Sequence, residues 1–186
     1  MCVAIFKPAG VQIPGRETLH KCWVANPHGA GIAIRDGERV VIEKGFMCRE
    51  ELVNLLLHMK RQGLCGEMLL HFRLATSGLM DGGNTHPFPL HWDEKKLRGI
   101  SQRTDCAIVH NGIFNGMDFG NVLSDTGNAV KMMAMAGTKP RHLANKIKSM
   151  PFFGWSKVAV MRKGGVDITP GWVEKDGCFF SNLRWI

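Results

Sequence analysis

The sequence predicts an α+β fold in which sheets carry helices on their outer sides. Three observations support this. Strand-like and helix-like segments alternate along 186 residues with no linker between them. An Asp36-Gly37 pair sits between two β-prone runs, as in a hairpin. A chain of this length buries roughly 70% of its unfolded surface and needs no second core, so one domain over residues 1–186 is expected.

Each element has a local reason. Residues 2–6 (Cys-Val-Ala-Ile-Phe) read as a buried strand, and Pro8, Gly10, Pro14 and Gly15 break it into a loop. Residues 16–25 fit a short helix with Leu19, Cys22 and Trp23 on one face. The hairpin pairs 31–35 with 39–44. Over 49–62, Leu52, Val53, Leu55, Leu56 and Met59 recur at helical intervals, with Glu50 and Glu51 at one end and Lys60 and Arg61 at the other, as the helix dipole favours. Gly63 closes that helix, and 67–76 returns to a strand. Gly82, Gly83, Pro87 and Pro89 mark a long loop. A strand over 105–110 ends at Asn111-Gly112, helices are expected at 126–136 and 140–149, and strands follow from Lys157, with turns at Gly164-Gly165 and Asp176-Gly177.

Composition narrows the class. Apolar residues make up 45% and charged residues 22%, the proportions of an ordinary globular chain. No apolar run approaches the roughly 18–20 residues of a membrane span, and the N-terminus lacks a secretory pattern, so the cytoplasm is the expected address. Six scattered cysteines without paired spacing point to reduced thiols. Without Cys-x-x-Cys, Cys-x-x-His or His-x-x-x-His pairs, neither a metal site nor another cofactor is expected. The net charge of +8 could serve an acidic partner. However, Lys139, Arg141, Lys146, Lys148, Lys157, Arg162 and Lys163 are spread out, and no block of like charge or aromatic-flanked basic motif occurs, so nucleic acid is not the expected partner.

The chemistry-bearing residues begin at Cys2. Once Met1 is trimmed, this residue carries a thiol and a free α-amine with a reference pKa of about 7.7–8.0, close enough to neutrality to act as a general base. A cysteine at the start of a strand can equally be a small buried hydrophobe. Further along, His71-Phe72-Arg73-Leu74-Ala75-Thr76-Ser77-Gly78 places a guanidinium at the end of an apolar strand, suited to a substrate carboxylate or to an internal Asp or Glu. Asn84-Thr85-His86-Pro87 holds a loop histidine, a residue type that is more often structural. His110-Asn111-Gly112 is an ordinary turn signal that also offers a side-chain amide and a glycine N–H, the donors of an oxyanion hole. Ser124-Asp125-Thr126 reads as a helix N-cap, or as a carboxylate for a ligand ammonium.

Taken together and in this order, these clusters resemble the class II glutamine amidotransferase domain. This is an N-terminal-nucleophile (Ntn) hydrolase found in glucosamine-6-phosphate synthase, amidophosphoribosyltransferase and asparagine synthetase. The family pattern is an N-terminal cysteine, His-x-Arg-x-Ala-Thr-x-Gly, a His-Pro loop, His-Asn-Gly followed by Asn, and a Ser-Asp segment. It covers residues 2–126, with a fainter echo in Phe180-Ser181-Asn182.

The resemblance implies an αββα four-layer sandwich of two packed, mainly antiparallel sheets with helices outside. It also implies a reaction in which Cys2 attacks the glutamine side-chain amide and water resolves the thioester. Asn111 and Gly112 would hold the oxyanion, Arg73 the α-carboxylate and Asp125 the α-ammonium, while Thr76 and His86 would line the pocket. Two departures stand out: His28 in Asn26-Pro27-His28-Gly29 occupies a position where the family has Asp, and Gly127 stands where many members have Glu. The family's ammonia-using domain is not expected within these residues. The resemblance is to compact, stand-alone forms encoded by bacteria and their phages, sometimes beside an ATP-grasp ligase, so the implied partner is a separate synthetase or ligase subunit receiving ammonia. The competing expectation is an inactive protein of the same fold that binds an acidic protein or nucleic acid and retains Met1.

Overall fold

The computed structural model describes residues 2–120, 122–143 and 156–186. Strand β1 (Val3–Lys7) is followed by helix α1 (Arg16–Ala25), the hairpin β2 (Ala30–Asp36) and β3 (Arg39–Phe46), helix α2 (Arg49–Arg61) and β4 (Met68–Phe72). Then come β5 (Phe88–Pro89), α3 (Glu94–Arg98), β6 (Ser101–Thr104), β7 (Cys106–Asn111) and α4 (Asp125–Met135). The last strands are β8 (Lys157–Arg162), β9 (Gly165–Ile168), β10 (Val173–Lys175) and β11 (Cys178–Phe180).

Two antiparallel sheets result, a seven-stranded one in the order β10-β11-β1-β4-β2-β3-β6 and a four-stranded one in the order β5-β7-β8-β9. The alternation of side chains along each strand sorts the core into three apolar clusters. Val3, Ile5, Ile32, Leu70 and Phe72 face Leu19, Cys22, Leu52 and Leu56 of α1 and α2. Ala4, Ala33 and Leu69 turn the other way and meet Ala107, Val109, Ala159 and Met161 of the smaller sheet. The far side of that sheet, through Ile108 and Val160, packs on Val130 and Met133 of α4. The chain is thus α+β with two stacked sheets, compatible with a sandwich that has helices on its outer sides.

Several expectations change in detail. The strand expected over 67–76 stops at Phe72, because Arg73 N–H donates to Gly29 O and His28 N–H donates to Arg73 O, drawing the backbone toward the 26–29 turn. The hairpin loop is Gly37-Glu38, with Asp36 paired to Arg39. Only its first residue has positive φ, the type II′ pattern, whereas Asp176 and Gly177 both have positive φ and make a type I′ turn. Of the helix expected over 140–149, residues 140–143 are helical and the rest lie outside the described residues, as do Lys146 and Lys148. All six cysteines are free, and among the described residues no helix is long and apolar enough to cross a membrane.

Lys44 ties the larger sheet to the loop before β5. Its ammonium donates to Gly83 O at 3.0 Å and Leu97 O at 2.7 Å and lies 4.2 Å from the centre of the Phe88 ring.

In the seam between the sheets, Ala4, Ala33, Ala107 and Ala159 sit among larger residues such as Leu69, Val109 and Met161 and let the two backbone layers approach closely. Ala107→Leu, at a fully buried seam position, is expected to overpack it and cost about 1–3 kcal/mol. Val24→Leu, at an exposed position, should change stability by less than about 0.5 kcal/mol. Urea unfolding of both variants checks this, and equal midpoints would contradict the close stacking.

Candidate active site

At one end of both sheets, residues from distant stretches of sequence meet around a small cleft. Its walls include Cys2, Arg73, Thr76, Ser77, His86, His110, Gly112 and Asp125. Six of the seven residues singled out from the sequence therefore share one cavity. The seventh, Asn111, is buried next to Gly112, but its side chain is not part of the cavity wall.

Cys2 reaches the cleft because β1 pairs with β4 so that Val3 faces Phe72. Its sulfur accepts the Leu74 N–H at 3.3 Å. Burial pushes the thiol above its ordinary range, and the Leu74 N–H only partly opposes this, so at neutral pH the group is a thiol and needs a base to become a nucleophile. The Cys2 carbonyl accepts from Asn182 Nδ2 at 2.9 Å, which fixes the start of the chain to its last turn.

Arg73 is 3% exposed. Its guanidinium donates to Leu79 O and Ser77 O, both at 2.9 Å, and among the described residues it forms no ion pair with a carboxylate. The internal Asp or Glu that the sequence left open is thus replaced by backbone carbonyls. Asp125 is the first residue of α4. One carboxylate oxygen accepts from Phe114 N–H at 2.7 Å, and the other accepts from Thr126 N–H at 2.7 Å and from Ser77 Oγ at 3.4 Å. Ser124, the N-cap, accepts from Gly127 N–H. Ser124 is thus the helix cap that the sequence suggested, and the Asp125 carboxylate stands in the cavity wall.

Two glycines make the close approaches possible. Gly78 has φ +67°, and a Cβ there would lie 2.5 Å from Ser124 N; Gly112 has φ +153°, and a Cβ there would lie 2.4 Å from Ser156 Oγ and 2.8 Å from His110 Nε2. Any larger residue would push the loop or the strand end away from the cleft.

Three buried histidines back the site. His86 stacks on His71 with ring centres 4.0 Å apart, and His110 stacks on Phe114 at 3.7 Å. His86 Nδ1 accepts the His110 N–H at 3.2 Å, so its proton sits on Nε2. His71 Nε2 donates to His110 O at 3.1 Å. Burial pushes His71 and His110 down to about 3 and His86 well below the ordinary range, so all three are neutral at pH 7.

Some residues of the site carried little signal in the sequence. Ser181 Oγ accepts both Ala4 N–H and Asn111 Nδ2 at 2.9 Å, linking β1 to the end of β7. Asn84 is fully buried, donates to Leu79 O and Val122 O and accepts Ser124 N–H, stapling the 77–79 loop to the entry of α4. At the departure noted above, His28 Nδ1 accepts Ala75 N–H at 2.9 Å. An imidazole nitrogen here supplies an acceptor where the family pattern has a carboxylate. Among the described residues, no group of three or more His, Cys, Asp or Glu side chains is arranged to hold a metal ion.

No family model matches the chain, and a search of curated proteins finds no match.

The histidine cluster sets a pH dependence. The folded values lie below the unfolded value of about 6.5, so the unfolded chain takes up protons first as pH falls. Stability contributed by neutral burial is complete above about pH 6.5 and is lost progressively as pH falls from there toward pH 3. Urea midpoints measured at pH 7, 5.5 and 4.5 should fall steeply, and a flat profile would contradict the buried neutral trio.

Proposed function

We propose that the protein is a glutaminase of the class II amidotransferase kind, built on the αββα Ntn-hydrolase sandwich. It releases ammonia from glutamine through a Cys2 thioester once Met1 has been removed. The observation supporting this reading is the convergence, on one cleft, of a thiol from the start of the chain, an arginine without a carboxylate partner, a glycine N–H and a helix-first aspartate.

In this reading the α-amine of Cys2 takes the thiol proton as sulfur attacks the carboxamide carbon. This is the base that the raised thiol pKa calls for. The developing oxyanion is met by Gly112 N–H and Asn111 Nδ2, each donor worth roughly 3–4 kcal/mol in comparable hydrolases. The Asn111 amide takes up that task only by reorienting. Among the described residues its Oδ1 is buried without a hydrogen-bond partner while Nδ2 is spent on Ser181. Turning the amide end for end lets Ser181 donate to Oδ1 and frees Nδ2 as a donor. The proton then passes to the leaving ammonia, and water cleaves the thioester to give glutamate. Arg73 and Asp125 sit in the cleft wall as an opposite-charge pair able to read an α-amino acid's carboxylate and ammonium.

The cleft has an accessible volume of about 20 Å³, room for about one water molecule. Glutamine therefore enters only when the 75–80 loop moves, and its carboxylate takes over the guanidinium bonds now made by Ser77 O and Leu79 O. The ammonia would pass to a separate synthetase or ligase subunit.

Intact mass of the purified chain should show loss of Met1, and the trimmed protein should convert glutamine to glutamate. Cys2→Ala should abolish turnover. Arg73→Lys should raise KM for glutamine about 10- to 100-fold by removing a charge-assisted fork, and N-acetylglutamine should be a poor substrate. A trimmed protein with an intact thiol that releases no glutamate, alone or with its partner, overturns the proposal. Retained Met1 with no turnover would favour an inactive binding protein of the same fold.

A further inference from the structure

A second site lies at the opposite end of the smaller sheet. β7 runs from Cys106 to Asn111, so its two ends are about 17 Å apart. Asn111 adjoins the Cys2 cleft, while Cys106 borders a groove that shares no wall residue with it. The groove consists of two adjoining clefts of about 610 and 540 Å³, joined through Asp105, Lys139 and Pro140. One is lined by Lys139, Arg141, Arg162 and Lys163, the other by Arg39, Lys96 and Arg103. Against these seven cations stand four carboxylates, Glu38 and Asp105 in the walls and Asp36 and Asp167 paired to wall arginines, so the groove keeps an excess of positive charge within the chain's net +8.

The sequence hides this concentration because the seven residues are scattered from 39 to 163, and only the fold assembles them. Four of them pair with acids: Arg39 with Asp105 at 3.2 Å, Arg103 with Asp36 at 2.8 Å, Arg162 with Asp167 at 2.7 Å, and Lys163 with Glu38. These pairs are partly exposed and contribute little, so another anion can displace the carboxylates. Among the described residues, Lys96, Lys139 and Arg141 pair with no carboxylate.

The groove also contains an aromatic surface. Trp92 is 63% exposed, and its inner side is held by His91, stacked at 5.6 Å, whose Nδ1 accepts the Asp93 N–H. The exposed indole offers a flat apolar face beside the cations. A polycarboxylate would use the charge but not the ring. A nucleic-acid strand uses both, its phosphates on the cations and an unstacked base on the indole. A duplex keeps its bases stacked and has none to offer.

We propose that this groove binds single-stranded nucleic acid, with Trp92 as the base-stacking surface and Lys96, Arg103, Lys139 and Arg141 tracking the phosphates. The assignment is independent of the glutaminase reading.

Fluorescence anisotropy with a labelled 12-nucleotide oligo-dT tests it, alongside a duplex of the same length and a polyglutamate peptide. The strand should bind best at low salt, with log affinity falling against log salt at a slope of about −2 to −3, as for three or four neutralised phosphates. Trp92→Ala should weaken strand binding about ten-fold, the worth of one stacked base, and leave the small polyglutamate signal unchanged. The Lys96→Glu/Lys139→Glu double variant should abolish strand binding. Cys2→Ala should bind the strand like wild type, which separates this result from the fate of the glutaminase proposal. No binding to the strand overturns the inference, as does duplex or polyglutamate binding of equal strength that is indifferent to Trp92→Ala. In the polyglutamate case, the groove would be a docking face for an acidic protein.

Discussion

The site depends on one pairing, the antiparallel register of β1 on β4. Val3 faces Phe72, Ala4 faces His71 and Ile5 faces Leu70. A shift of one residue would send Val3 and Ile5 into the inter-sheet seam, where Ala4 now fits among packed neighbours, and Ala4 toward the helices. Apolar burial on both faces therefore fixes the register, and the register carries Cys2 to the first position beyond the paired strand, beside Leu74. The position of the sulfur is thus a consequence of core packing.

Polar groups around that sulfur are buried at a cost that the backbone largely offsets. Arg73 is satisfied by two carbonyls, Asp125 by three N–H and hydroxyl donors, and His86 by a backbone N–H. Such satisfaction holds side chains to within the tolerance that chemistry needs. Most of the exceptions lie at the same place. Among the described residues, Asn111 Oδ1, His110 Nε2 and His71 Nδ1 are buried without hydrogen-bond partners, as are Asn26 Oδ1 and Glu67 Oε2 elsewhere. An unsatisfied buried polar atom costs about 1–3 kcal/mol, and three of them near one cleft are consistent with a site that gives up stability for binding.

Much of this was legible in the sequence, for physical reasons. Long apolar runs with a clear period, as in β1, α2 and β7, leave few alternatives. The polar clusters could be grouped only through their order, which resembles the class II glutamine amidotransferase pattern; singly, each reads as an ordinary turn, cap or strand end. What escaped was either short or distant. β5, α3 and β6 span only two to five residues and show no usable period. Ser181 joins β1 to Asn111 across seventy residues of sequence, and only the faint Phe180-Ser181-Asn182 echo of the family pattern points to it. The end of β4 at Phe72 depends on hydrogen bonds to the 26–29 turn that are set by tertiary contact rather than by the composition of residues 67–76.

The closed cleft has a consistent energetic interpretation. The loop after Arg73 is held over the cavity by two guanidinium–carbonyl bonds, by Ser77 bridging to Asp125 in both directions, and by Asn84 holding Leu79. Moving it in water alone exposes a buried cation and breaks several bonds at once. A ligand carboxylate changes the comparison. It offers the guanidinium a charge-assisted fork, roughly twice as strong as a bond to a neutral carbonyl, and the released carbonyls can turn to water. A ligand lacking the carboxylate offers no such exchange and leaves the loop shut. On the proposed reading, the arginine that recognises the substrate is thus held ready by two backbone carbonyls, and selectivity follows from the exchange of the same two hydrogen bonds.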